Sequence, residues 1–107
     1  VIQYDVLHPG FMRWYELGPQ LDEWGLRSAP HHYGGFYGNY ATCHIASRIA
    51  RFEAVEWDEA EVPGVDTSAY RISDGYVRVP ALPGFGLRLD ERVFQAAVAE
   101  GGFAVQL

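Results

Sequence analysis

Asp5, His31 and Glu56 each stand at the end of a short strand-like run, residues 1–5, 26–31 and 52–56. An imidazole titrates near neutral pH, so a histidine so placed takes or gives a proton during turnover. A carboxylate bonded to its second ring nitrogen fixes the tautomer and stabilises the imidazolium, which makes the histidine a better base. Asp5 is the carboxylate nearest in order. A βαβ connection makes the first two runs neighbours, and Glu56 on the third would face the same cavity. There it would donate a hydrogen bond if protonated, or orient a substrate carboxylate or hydroxyl. Reactive groups at the carboxyl ends of alternating strands are the way a β/α barrel presents its chemistry.

The elements between these residues support that placement. Strand periodicity puts Gln3 and Asp5 on one face of the first run, with Ile2 and Tyr4 on the other. Phe11, Trp14, Tyr15 and Leu21 recur at helical spacing, Gly18-Pro19 predicts a kink or restart, and Gly25 a stop. A glycine- and tyrosine-rich loop spans 32–38. Asn39 is the expected cap of a second helix with Ala41, Ile45 and Ile49 on its apolar stripe. In the third run Phe52, Ala54 and Glu56 share a face, opposite Val55 and Trp57. Residues 58–68 read as an acidic loop. The pattern 70–79 predicts a hairpin turning at Asp74-Gly75. Asp90 caps a last helix carrying Val93, Phe94 and Val98 and ending near Gly101-Gly102. The chain divides into 1–58, the last β/α units of a barrel, and 59–107, a carboxyl-terminal tail with the hairpin and final helix.

Bulk properties remove several function classes. The 107 residues carry 14 acidic and 8 basic side chains, a formal charge of -6, and the basic residues form no patch, which argues against nucleic acid. No run approaches the roughly 18 apolar residues of a membrane helix. The single cysteine, Cys43, has no internal partner, and a reducing, cytoplasmic setting is expected. Val1 already lies within an apolar run, so the chain is expected to be a carboxyl-terminal piece of something longer.

Other reactive side chains compete for roles. His32 is an alternative base to His31 and is expected at the pocket mouth or against solvent. The spacing from Gly25 and Pro30 favours His31, because barrel chemistry sits at the strand end. A zinc reading of His32, Cys43 and His44 is disfavoured by their scatter, and no metal ligand is assigned on this chain. His44 reads as a satisfied interior histidine and His8 as an exposed loop residue within reach of substrate. Tyr33, Tyr37 and Tyr40 either wall a sugar site or pack the loop. Gly34-Gly35 is too short to argue for phosphate. Trp14 and Trp24 read as packing between helix and barrel.

Asp5, Gly10, Trp24-Gly25-Leu26 and Pro30-His31, then 41–46 and Val55-Glu56-Trp57, then 74–80 and 83–90, together resemble the carboxyl-terminal part of the enolase superfamily, mandelate racemase subgroup. The resemblance covers nearly the whole chain. It implies the last three strands and two helices of a (β/α)7β TIM-type barrel, followed by a hairpin and helix tail. It implies abstraction of the proton α to a carboxylate with Mg²⁺ as cofactor, the base-plus-metal pairing known for enolase-superfamily sites. His31 would be the base, Asp5 its partner, and Glu56 the group that binds the substrate carboxylate or acts as acid, with His32 and Tyr33 as further substrate-binding candidates. The metal ligands, and a second lysine base, would lie on upstream strands outside this chain. The long loop after His31 and the Ala81-Leu82 pair point to an acid-sugar dehydratase, with a racemase, epimerase or cycloisomerase as the alternative. A non-catalytic piece that only assembles with a barrel, or a small binding domain, are the readings outside enzymology. The expected partners are the rest of the barrel, the capping domain and a small carboxylate or sugar acid, in a homo-oligomer, with no nucleic acid and no membrane.

Overall fold

The computed structural model describes residues 1–8, 10–33 and 36–102. The Gly34-Gly35 pair and positions 103–107 of the tail lie outside the described residues. Three extended segments lie side by side in parallel, paired at Ile2 with Ser28, Asp5 with His31 and Ser28 with Phe52. The ladder between the first two runs from Ile2 N–H on Arg27 O (2.7 Å) to Val6 N–H on His31 O (2.7 Å). The second ladder is shorter, with Ser28 N–H on Arg51 O (3.1 Å) and Glu53 N–H on Ser28 O (2.9 Å).

Helix α1 (Phe11–Glu23) connects the first two segments and α2 (Phe36–Ala46) precedes the third. In α1 the buried positions Trp14, Gly18 and Leu21 follow helical spacing. Pro19 neither kinks α1 into two helices nor restarts it. It costs one backbone bond, but both flanking turns stay seated on the core through Trp14 and Leu21. Gly18 lets Ile49 close in, since a Cβ there would stand 2.6 Å from Ile49 Cγ1. Gly25, at φ +72°, turns the chain as expected, and Leu26 N–H bonds back to Leu21 O at 2.9 Å. The Asp22 carboxylate then accepts from the amides of Ala50 (2.7 Å) and Arg51 (2.8 Å), fixing the entry to the third segment.

Helix α2 is buried on most of its surface, because it sits between two apolar clusters. One joins Val6, Trp14, Leu21, Ala41, Ile45 and Ile49. The other joins Tyr40, Cys43 and Tyr70, with Val55, Trp57, Val77 and Leu87 packed against it. Trp24, expected in packing, is instead 61% exposed past the end of α1. The cap expected of Asn39 is also corrected, since α2 already begins at Phe36 and Asn39 lies inside it.

In the tail, β1 (Val65–Asp66) pairs antiparallel with β4 (Arg88–Leu89), within what reads in sequence as loop. The hairpin of β2 (Ile72–Ser73) and β3 (Tyr76–Val77) forms as expected. Asp74 and Gly75, at φ 53° and 77°, supply the two left-handed residues of a tight turn. Helix α3 (Glu91–Gly101) is capped by the Asp90 carboxylate on the amides of Arg92 (2.9 Å) and Val93 (3.3 Å). It rests on the loop at Gly64, where Val93 fills the space a Cβ would take. No described helix is long and apolar enough to cross a membrane.

Candidate active site

Parallel pairing of Asp5 with His31 puts the two side chains next to each other on one face of the ladder. Trp14 Nε1–H donates to Asp5 O at 3.2 Å, tying the strand end to α1. Asp5 Oδ1 accepts from the amides of Leu7 (2.6 Å) and His8 (3.3 Å), which directs Oδ2 toward His31 Nε2, 3.9 Å away. The other ring nitrogen, Nδ1, is bonded to Glu56 Oε2. His31 therefore sits between two carboxylates, with the closer contact to Glu56 rather than to Asp5. With Nδ1–H donating to Glu56, Nε2 is left as the proton acceptor.

Glu56 is held from three sides. Its Oε2 also accepts from the His32 amide at 3.0 Å, its Oε1 from Gln3 Nε2 at 3.3 Å, and its carbonyl oxygen from His32 Nε2 at 2.9 Å. On the third segment the second ladder reaches only from Arg51 to Glu53, so strict alternation stops there. Phe52 and Val55 line the same apolar cleft beside Cys43, Val77 and Val79, which corrects the expected sharing of a face by Phe52 and Glu56. Side-chain bonds, not the ladder, aim Glu56 at His31. The side chains of His31, Asp5 and Glu56 are 35%, 28% and 39% exposed, so the trio is open to a ligand.

His32 is not at a pocket mouth. It falls on the strand face of Ser28 and Pro30, which is covered by the helices, and its side chain is fully buried. Alternation is the physical reason: neighbours in an extended segment face opposite ways. Tyr33 is 79% exposed beyond the strand end. Tyr40 is buried against Tyr70 and Trp57 and cannot wall a sugar site on the open face. Tyr37 is about half exposed and His8 is exposed. His44 Nε2 lies 3.0 Å from Tyr70 Oη, whose proton goes to Phe85 O at 2.6 Å, so the imidazole is the donor in that pair. Burial pushes the Cys43 thiol up to about 11, which makes it a packing group.

Among the described residues no three His, Cys, Asp or Glu side chains gather to hold a metal ion. Both Glu56 carboxylate oxygens and Asp5 Oδ1 are taken up by Gln3, His31, His32 and backbone amides, and Asp5 Oδ2 faces His31 Nε2 at 3.9 Å. A cleft of about 650 Å³ over Phe36 and residues 60–68 contains none of the trio. Four residues escaped the sequence reading of this region: Gln3, Trp14 and the Asn39–Asp58 pair. Alternation already put Gln3 on the face of Asp5, whereas no sequence signal marks Asn39 as a brace.

Residues 1–93 match the family described as enolase C-terminal domain-like. No curated protein matches the chain. Among solved structures, a variant of galacturonate dehydratase from Geobacillus sp., complexed with Mg, is 46% identical at a TM-score of 0.88, covering 95% of this chain and 26% of that one. Galacturonate dehydratase from Geobacillus sp. with D-galacturonate and 5-keto-4-deoxy-D-galacturonate is 46% identical at 0.86, covering 92% and 27%. A mandelate racemase/muconate lactonizing protein from Geobacillus sp., complexed with magnesium and tartrate, is 46% identical at 0.87, covering 94% and 26%. The chain spans about a quarter of the length of each. With residues 1–93 matching its model, the chain belongs to the enolase C-terminal domain-like family.

Proposed function

We propose that this chain supplies the base-bearing part of a Mg²⁺-dependent acid-sugar dehydratase, and that residues 1–58 are the last three strands and two helices of its (β/α)7β barrel. The observation that carries the reading is His31 held between Asp5 and Glu56 at the ends of adjacent parallel segments. The 46% identity to galacturonate dehydratase supports the substrate class. His31 Nε2 takes the proton α to the substrate carboxylate, and the flanking carboxylates stabilise the imidazolium that forms. The imidazolium then returns a proton to the β-hydroxyl, which leaves as water, and the enol that remains becomes a ketone. Glu56 and Tyr33, on the open side, bind the substrate. Among the described residues no set of side chains gathers to hold Mg²⁺, and its ligands are proposed on other parts of the complete protein.

The partners proposed are the rest of the barrel and a capping domain, in a homo-oligomer, with residues 59–107 as the tail joining them. The accessible surface is 7818 Å², against about 6,000 Å² for a compact monomer of this mass. That excess is what uncovered contact faces produce.

The test uses the complete protein with Mg²⁺ and a panel of sugar acids, D-galacturonate included, in deuterated water. Wild type is expected to release water and yield a keto-deoxy acid, and His31→Asn to lose both turnover and α-proton exchange. Exchange that survives in His31→Asn would move the base elsewhere. Exchange with inversion and no loss of water would make the enzyme a racemase or epimerase of the same family.

A further inference from the structure

We infer that buried His32 is a positioning residue that clamps Glu56 from both its backbone and its carboxylate. The inference rests on the proposed site and adds a residue to it. His32 is 2% exposed and makes two separate bonds to one residue, its amide to Glu56 Oε2 at 3.0 Å and its Nε2–H to Glu56 O at 2.9 Å. The second bond requires the Nε2–H tautomer, because a carbonyl oxygen only accepts. Nδ1 is then a buried lone pair without a hydrogen-bond partner.

The surroundings hold the ring in place. Asp58 Oδ2 stands 3.9 Å from Nδ1. Asp58 is in turn fixed by Asn39, whose Nδ2 donates to Asp58 O (2.8 Å) and whose Oδ1 accepts from Asp58 N–H (2.9 Å). On the other side α2 passes directly over the imidazole at Gly38, where a Cβ would lie 2.5 Å from Nδ1. The ring is thus wedged between a glycine and a braced acidic residue. Glu56 needs this support, since the backbone ladder ends at Glu53. A misplacement of about 1 Å at a catalytic group costs on the order of 100-fold in rate.

The experiment compares His32→Leu, His32→Gln and Gly38→Ala in the complete protein, by crystal structure and by kinetics on the sugar acid that wild type turns over. His32→Leu is expected to displace Glu56 and lower kcat about 100-fold. Its loss should not multiply with that of Glu56→Gln, because both act through one group. His32→Gln keeps a donor near the Nε2 position and should retain most activity. Gly38→Ala, which touches neither Glu56 nor substrate, should move the imidazole and Glu56 together. A His32→Leu enzyme with Glu56 in place, or losses that multiply with Glu56→Gln, overturns the inference. If wild type turns over no sugar acid, the dehydratase reading fails, and the position of Glu56 in the His32→Leu crystal still decides the role of His32.

Discussion

Two carboxylates flank one imidazole here, and they reach it differently. Glu56 contacts Nδ1 directly, while Asp5 stands 3.9 Å from Nε2 with its other oxygen bound by backbone amides. Asp5 is therefore aimed rather than bonded, and in the proposed mechanism it acts on His31 through its charge. Asp5→Asn keeps the shape and removes the charge opposite the imidazolium. In the complete protein this change should lower kcat by about 10²–10⁴-fold, within the range of general acid–base catalysis, with little change in melting temperature. An Asp5→Asn enzyme with wild-type kcat in steady-state assays would falsify the role. Which of His31 and His32 faces Asp5 was legible at this scale. Alternation turns His31 to the face of Asp5 and His32 to that of Ser28 and Pro30. Which carboxylate would hold Nδ1 was not legible, because it depends on where Glu56 lands after the ladder ends.

At the scale of elements, the locally encoded pieces form where expected. The Asp74-Gly75 hairpin and Asp90-capped α3 depend on neighbours within a few residues. The start of α2 and the continuity of α1 through Pro19 depend on what they pack against. Gly18 is the tightest such contact. Gly18→Ala should destabilise the complete protein by about 1–3 kcal/mol through overpacking against Ile49, read from chemical denaturation. Unchanged stability would mean that Ile49 gives way freely. The interface of α2 with the tail should be sensitive to alkali. Burial raises Cys43 from 9.0 to about 11 and Tyr70 from 10.0 to about 12. Folding favours their neutral forms, so this stability is intact below about pH 9 and is lost as pH rises through about 11 to 12. Cys43 should react slowly with a thiol reagent at neutral pH and faster in that alkaline window. Rapid labelling at neutral pH in the folded protein would count against its burial.

For the whole molecule, the radius of gyration of 15.5 Å exceeds the roughly 13 Å of a compact domain of this length. Val93 and Phe94 on α3 and Phe52 on the third segment remain 40–45% exposed. Expressed alone, the chain should self-associate or require the rest of its barrel, as judged by light scattering after size exclusion. A well-behaved monomer with a sharp thermal transition would oppose the barrel-segment reading. By itself the sequence determined the trio Asp5, His31 and Glu56, the helices between them and the hairpin. Those follow from period, turn chemistry and caps, which act over a few residues. Only the tertiary structure decided that Glu56 rather than Asp5 bonds His31, that His32 is buried behind Glu56, and that Asn39 braces Asp58 instead of capping a helix. Each of these depends on segments some twenty residues or more apart meeting in space, and local pattern carries no record of such meetings.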